Sequence, residues 1–99
     1  MNIPNEVKIG HITYAIKKTE NNLCLNGKEC EGIIHYEDAE IELNTKRNIQ
    51  KIEETFLHEI IHGISRDRNL DWGDNDELYT DEIAKGVYAL IKDNPAIFT

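Results

Sequence analysis

The chain has 99 residues, with 11 Lys and Arg against 19 Asp and Glu, a formal net charge of −8, 39% hydrophobic residues and two cysteines. That length makes a single domain, residues 1–99, and excludes a two-domain reading. Two cysteines exclude a disulfide scaffold, and with the polar start Met1-Asn2-Ile3-Pro4-Asn5-Glu6 no secretory leader is expected. The charge, with no basic cluster denser than Lys17-Lys18 or Lys46-Arg47, disfavours direct nucleic-acid binding, and none is expected.

Charges interrupt every apolar stretch, so none approaches the ~20 residues needed to cross a bilayer. The chain reads as a folded cytoplasmic domain whose acidic surface suits a basic protein partner.

The first third reads as strands. Ile12, Tyr14 and Ile16 alternate with Thr13, Ala15 and Lys17, while Val7 and Ile9 hold the opposite phase, so Gly10 is expected to mark a bulge or bend. Asn26-Gly27 favours a type I′ hairpin turn, which pairs Leu25 with Lys28 and Cys24 with Glu29. Cys24 and Cys30 are then not opposite one another and are expected to stay reduced. Gly32–Tyr36 and Ala39–Leu43 read as two strands about a turn at Glu37-Asp38. Ala39, Ile41 and Leu43 share one face and Glu40 and Glu42 the other, which predicts an antiparallel or mixed sheet with helices on one side.

From Thr45 the period changes. Ile49, Ile52, Phe56, Ile60 and Ile64 recur at three- and four-residue spacing, predicting a helix capped by Asn44 or Thr45 and ending near Asn69. Gly63 is a place where another backbone can come close. A polar connection through Trp72 leads to a last helix that starts at Asn75 or Asp76, runs to Lys92 and stops at Asn94-Pro95. Its apolar stripe passes through Thr80, Ile83, Ala84, Val87 and Ile91.

The long helix contains His58-Glu59-Ile60-Ile61-His62, which matches H-E-x-x-H. Residues four apart share a helix face, so both imidazoles can reach one Zn²⁺, with Glu59 beside the open coordination position as general base. Zinc lowers the pKa of a water toward ~7, and Glu59 can take its proton and hand it to a leaving amine. A shuffled chain of this composition contains the pattern in ~2% of cases, so context must support it. Ile52, Phe56, Leu57, Ile60, Ile61 and Ile64 form one broad apolar side, with His58 and His62 just outside it and Glu59 beyond them. A third ligand is needed. His11 and His35 are available, but the start of the last helix is better placed: Glu77 lies at the stripe's edge and reaches further than Asp76, while Glu82 points to solvent. His35, Tyr36, Tyr79 and Tyr88 are candidates for stabilising an oxyanion, and Trp72 for shaping a cleft.

With these residues the chain resembles the zincin metallopeptidases, and more narrowly the short phage and mobile-element proteins of the ImmA/IrrE group. The specific segment is Glu54–Ile64; Gly32–Tyr36 with Ile41–Leu43, and Ala84–Pro95, match more loosely. The resemblance implies an α+β, zincin-like minimal domain: a small, mostly antiparallel N-terminal sheet packed on the H-E-x-x-H helix, with a C-terminal helix closing the site. It implies zinc held by His58, His62 and an acidic residue of the following helix, mapping onto Glu77 with Asp81 also compatible, and Glu59 as base. Members that cut repressor proteins often carry additional segments, and here no separate DNA-binding or sensor domain is expected. The expected function is a zinc-dependent endopeptidase acting on a protein substrate in a bacterial or phage-infected cytoplasm. The rival is a non-catalytic phage or mobile-element binding protein or inhibitor on the same fold, with zinc structural or absent, engaging a basic protein. An intact Glu59 favours the enzyme; the small size favours the rival, because a protease cleft needs walls.

Overall fold

The phase reversal near the start comes from a hairpin, not a bulge. In the computed structural model, which describes residues 1–98, strand β1 (Glu6–Ile9) turns through Gly10-His11 into β2 (Ile12–Thr19). A two-residue loop pairs odd with even positions, Val7 opposite Tyr14 and Ile9 opposite Ile12, so both apolar sets share one face. Gly10 takes φ +61° to make the turn, and a Cβ there would run into the Asp67 carboxylate.

Strands β3 (Leu23–Leu25) and β4 (Lys28–Cys30) form a separate hairpin. Asn26 at φ 54° and Gly27 at φ 77° supply the two positive angles of a type I′ turn. Leu25 pairs with Lys28 and Cys24 with Glu29, as the turn predicts, and both cysteines are free thiols.

Strands β5 (Gly32–His35) and β6 (Glu40–Asn44) complete the main sheet, whose order is β1-β2-β6-β5. It is mixed: antiparallel at both margins, parallel between β2 and β6. Parallel neighbours require a crossover. Here the crossover contains the β3–β4 hairpin and β5, which leaves β5 at the sheet's edge.

Ile41 and Leu43, both 0% exposed, form the centre of the core with Ile9 and Tyr14, and helix α1 (Ile49–Asp67) lays Ile52 and Phe56 on them. Burying a side chain of this size contributes ~1.5–3 kcal/mol. Helix α1 begins later than the spacing predicts. Its N-cap is Asn48, which accepts the Lys51 N–H at 2.9 Å. Asn44 is occupied in a local turn, accepting the Lys46 N–H at 2.9 Å, and the Thr45 N–H extends the β2–β6 pairing by donating to the Thr19 carbonyl at 2.8 Å. Side chains and backbone so engaged cannot start a helix.

The far side of α1 packs on helix α2 (Asp76–Asp93), which follows a 3-10 turn at Gly73–Asn75 and ends at Asn94. Leu57, with Ile60 and Ile61 alongside, meets Ala84 and Tyr88. The buried line of α2 is Thr80, Ala84 and Tyr88; Ile83, placed in the stripe by the sequence pattern, is 40% exposed. The Tyr88 hydroxyl draws the ring inward by donating to Glu53 Oε1 at 2.8 Å. The result is an α+β fold with α1 between the sheet and α2. Among the described residues no helix is long and apolar enough to cross a membrane.

Candidate metal centre

His58 and His62 lie one turn apart on α1, as the motif predicts, with ring centroids 4.8 Å apart and planes at 72°. The turn of α2 that buries Tyr88 also swings Glu77 toward α1. Glu77 Oε1 lies 2.6 Å from His62 Nε2 and its Oε2 3.3 Å from His58 Nε2. The other two candidate acids stand behind the rings: Asp81 Oδ1 is 3.4 Å from His58 Nδ1, and Asp76 Oδ2 is 3.7 Å from His62 Nδ1. The three carboxylates that sequence left open thus hold different places. The 2.6 Å contact with the Glu77 carboxylate puts a proton on His62 Nε2; with a metal at Nε2 instead, Asp81 beside His58 Nδ1 would favour the proton on that nitrogen. Asp81 is itself held by Lys85, whose Nζ lies 2.8 Å from Oδ2. That hydrogen bond, with His58 adding to it, keeps the Asp81 carboxyl below the ordinary range despite some desolvation.

The donor set fits zinc. One ligand atom each from His58, His62 and Glu77 lie within 4.8 Å of one another, and two imidazoles with a carboxylate are an established zinc combination. Tetrahedral ligands ~2.0–2.2 Å from a zinc stand ~3.3–3.6 Å apart. The His58 Nε2–Glu77 contact of 3.3 Å already has that spacing. The Glu77 side chain, 74% exposed, has room to rotate for the rest.

Glu59 lies beyond the histidines, as the helical projection places it, but that side of α1 is covered: Glu59 is 6% exposed, in a row with Thr55 and Gly63 that faces β5. Two glycines allow this approach. A Cβ on Gly32 would sit 2.7 Å from Thr55 Cγ2 and 3.1 Å from the Glu42 carbonyl, and one on Gly63 would sit 2.8 Å from Ile9 Cδ1. Gly63 therefore admits side chains of Ile9 and Ile34, not a neighbouring backbone. Burial, followed by repulsion from Glu77, pushes the Glu59 carboxyl up to about 8, against the lowering effect of a hydrogen bond from the Ile34 N–H.

A cleft of about 600 Å³ opens along this seam, with Gly32, Ile34 and Tyr36 on one wall, His58, Glu59 and His62 on the other, and Leu25 of the hairpin at its end. The Asn44 N–H bonds the Glu31 carbonyl at 2.9 Å. By the alternation of an antiparallel ladder, the backbone groups of Gly32 and Ile34 then point away from β6, along the free edge beside the cleft. The Ile34 N–H reaching Glu59 agrees with this.

The remaining candidates are elsewhere. His11 is exposed in the β1–β2 turn. His35 bonds Glu42 at 2.6 Å. Tyr79 meets Trp72 edge to face at 5.9 Å, so that Trp72 shapes no part of the cleft, and Tyr88 is engaged by Glu53. Of the four oxyanion candidates only Tyr36 lines the cleft, its hydroxyl donating to the His62 carbonyl at 3.3 Å. Burial, then the charge of Glu59, pushes the Tyr36 hydroxyl pKa up, so it keeps its proton at neutral pH. Sequence reasoning missed the placement of Asp76 and Asp81 behind the rings. Their spacing gave no signal, because residues five apart lie ~140° apart around a helix and reach both rings only by flanking Glu77 from either side. No family model, curated protein or solved structure matches the chain.

Proposed function

We propose that the chain is a zinc-dependent endopeptidase of zincin-like fold, acting on an extended segment of a protein substrate in the cytoplasm of a bacterium or phage-infected cell. The observation that carries this reading is the convergence of both imidazole Nε2 atoms on Glu77, beside a buried carboxyl that lines the same cleft. A purely structural site has no use for Glu59 at that position. When bound, zinc supplies Lewis-acid polarisation of a water and of a carbonyl oxygen.

The protein groups do the rest. His58, His62 and Glu77 would hold the ion, and Asp81, 3.4 Å from Nδ1, orients the His58 ring. Glu59 takes the proton of the attacking water and passes it to the leaving amine. A positive charge close by lowers its carboxyl from about 8 toward the range in which base and acid forms both serve. The free edge of β5 receives the substrate backbone by strand addition, and the Tyr36 hydroxyl serves a developing oxyanion by exchanging its 3.3 Å bond to the His62 carbonyl for one to that oxygen.

The test compares wild type, Glu59→Gln and His58→Ala for zinc content by elemental mass spectrometry and for cleavage of a proteome-derived peptide library. Wild type and Glu59→Gln are expected to bind about one equivalent of zinc and His58→Ala none. Cleavage should fall by ~10²–10⁴-fold in Glu59→Gln. Unchanged cleavage by that variant, or no zinc in wild type, would overturn the reading.

A further inference from the structure

Helix α2 carries more apolar surface than α1 covers. Beside the buried line of Thr80, Ala84 and Tyr88, a second line of Tyr79, Ile83, Gly86 and Leu90 repeats at four-, three- and four-residue spacing. It faces solvent, with Tyr79 43%, Ile83 40% and Leu90 47% exposed. A helix packed on one side needs only one such line. A Cβ on Gly86 would meet nothing within 4 Å, so the stripe has a bare backbone notch between Ile83 and Leu90. Trp72, edge to face with Tyr79 at 5.9 Å, lengthens the surface at its N-terminal end.

The border of this stripe is acidic. By helical projection Glu82 and Asp93 flank one side and Asp76 the other. The lysines of α2 lie on its other faces: Lys85 bonds Asp81 at 2.8 Å and reaches Glu82 only through a longer, exposed 3.4 Å contact, and the Lys92 ammonium lies 5.8 Å from the Tyr88 ring centre. A second copy of this −8 chain would press the same acidic border against itself. An anionic lipid surface meets the same repulsion.

We propose that the outer face of α2 docks an amphipathic helix of a different protein, one with Leu or Ile at i, i+3 or i+4 and i+7 and with Lys or Arg flanking them. Its apolar residues pack across the Gly86 notch between Ile83 and Leu90, and its basic residues meet Glu82 and Asp93. The stripe from Tyr79 to Leu90 is ~16 Å long, matching about three turns of such a helix. Its contact residues Ile83, Gly86, Leu90, Glu82 and Asp93 line no part of the cleft, and only the bordering Asp76 also stands near His62.

The probes are a synthetic Leu/Lys amphipathic helical peptide, its Leu/Glu counterpart and phosphatidylglycerol vesicles, titrated against the full chain. Fluorescence of Trp72, the single tryptophan, reports binding, and backbone amide shifts locate it. The Leu/Lys peptide is expected to bind at least tenfold tighter than the Leu/Glu peptide, with shifts centred on Ile83, Gly86 and Leu90. Ile83→Glu should weaken it at least tenfold. Leu78→Glu, at an exposed apolar position on another face of α2, should leave it unchanged, and circular dichroism of both variants checks the fold. Shifts centred on β5, indifference to Ile83→Glu, or tighter binding to vesicles would overturn the proposal. So would a doubled mass in light scattering that Ile83→Glu abolishes, which would make a second copy the occupant.

Discussion

Glu59 is a carboxyl with low solvent access, a second carboxylate as neighbour and one backbone N–H as a partner. In metal-free protein its pKa of about 8 lies well above the 4.5 of an exposed glutamate. Between those two values the folded chain holds a proton that the unfolded chain has released. The stabilisation from Glu59 is therefore complete below pH ~4.5 and is lost as pH rises through ~8, an effect of ~3–5 kcal/mol. Urea unfolding in chelator from pH 5 to pH 8.5 should show stability falling with pH in wild type and a clearly flatter profile in Glu59→Gln. Equal slopes would mean that Glu59 is ionised throughout. His58 and His62 are common to both proteins, so the difference between the profiles isolates the buried carboxyl.

At the scale of elements, two glycines that look alike in sequence have opposite duties. Gly32 lets β5 lie against α1, where a Cβ would press on Thr55 and on the Glu42 backbone. Gly86 interrupts α2 with open space around it. Gly32→Ala should cost ~1–3 kcal/mol through overpacking, whereas Gly86→Ala should gain ~0.5–1 kcal/mol from helix propensity. Denaturant midpoints of the two variants, moving in opposite directions, check both assignments. Local chemistry made some elements legible beforehand: Asn26-Gly27 dictates its own turn, and His58 and His62 share a face by helix geometry alone. Long-range partners decided what was not legible. Thr45 is claimed by Thr19 and so does not begin α1, Tyr88 is drawn inward by Glu53, and Glu59 is covered by a strand more than twenty residues away. None of these partners leaves a mark in the local pattern.

For the molecule as a whole, the proposed metal centre is a link between α1 and α2, because its ligands come from both helices. An ion bound only by the folded chain adds ~4 kcal/mol when its free concentration is a thousand times its Kd. For a domain of this size that is a rise in Tm of more than ~15 °C. Calorimetry with zinc against chelator should show such a rise in wild type and none in His58→Ala. A rise retained in His58→Ala would place the ion elsewhere.

The parallel pairing of β2 with β6 has a kinetic consequence. Strand β6 is the last to emerge in sequence yet lies in the interior of the sheet, bonded to β2 on one side and β5 on the other. A nascent chain that stops before Glu40 can close its two hairpins but has nothing to hold β5 in place. Contacts that span such a distance along the chain slow the search for the native state. The wall that receives Glu59 therefore forms only when the sheet closes, so the geometry of the proposed site and the global fold appear in one cooperative event.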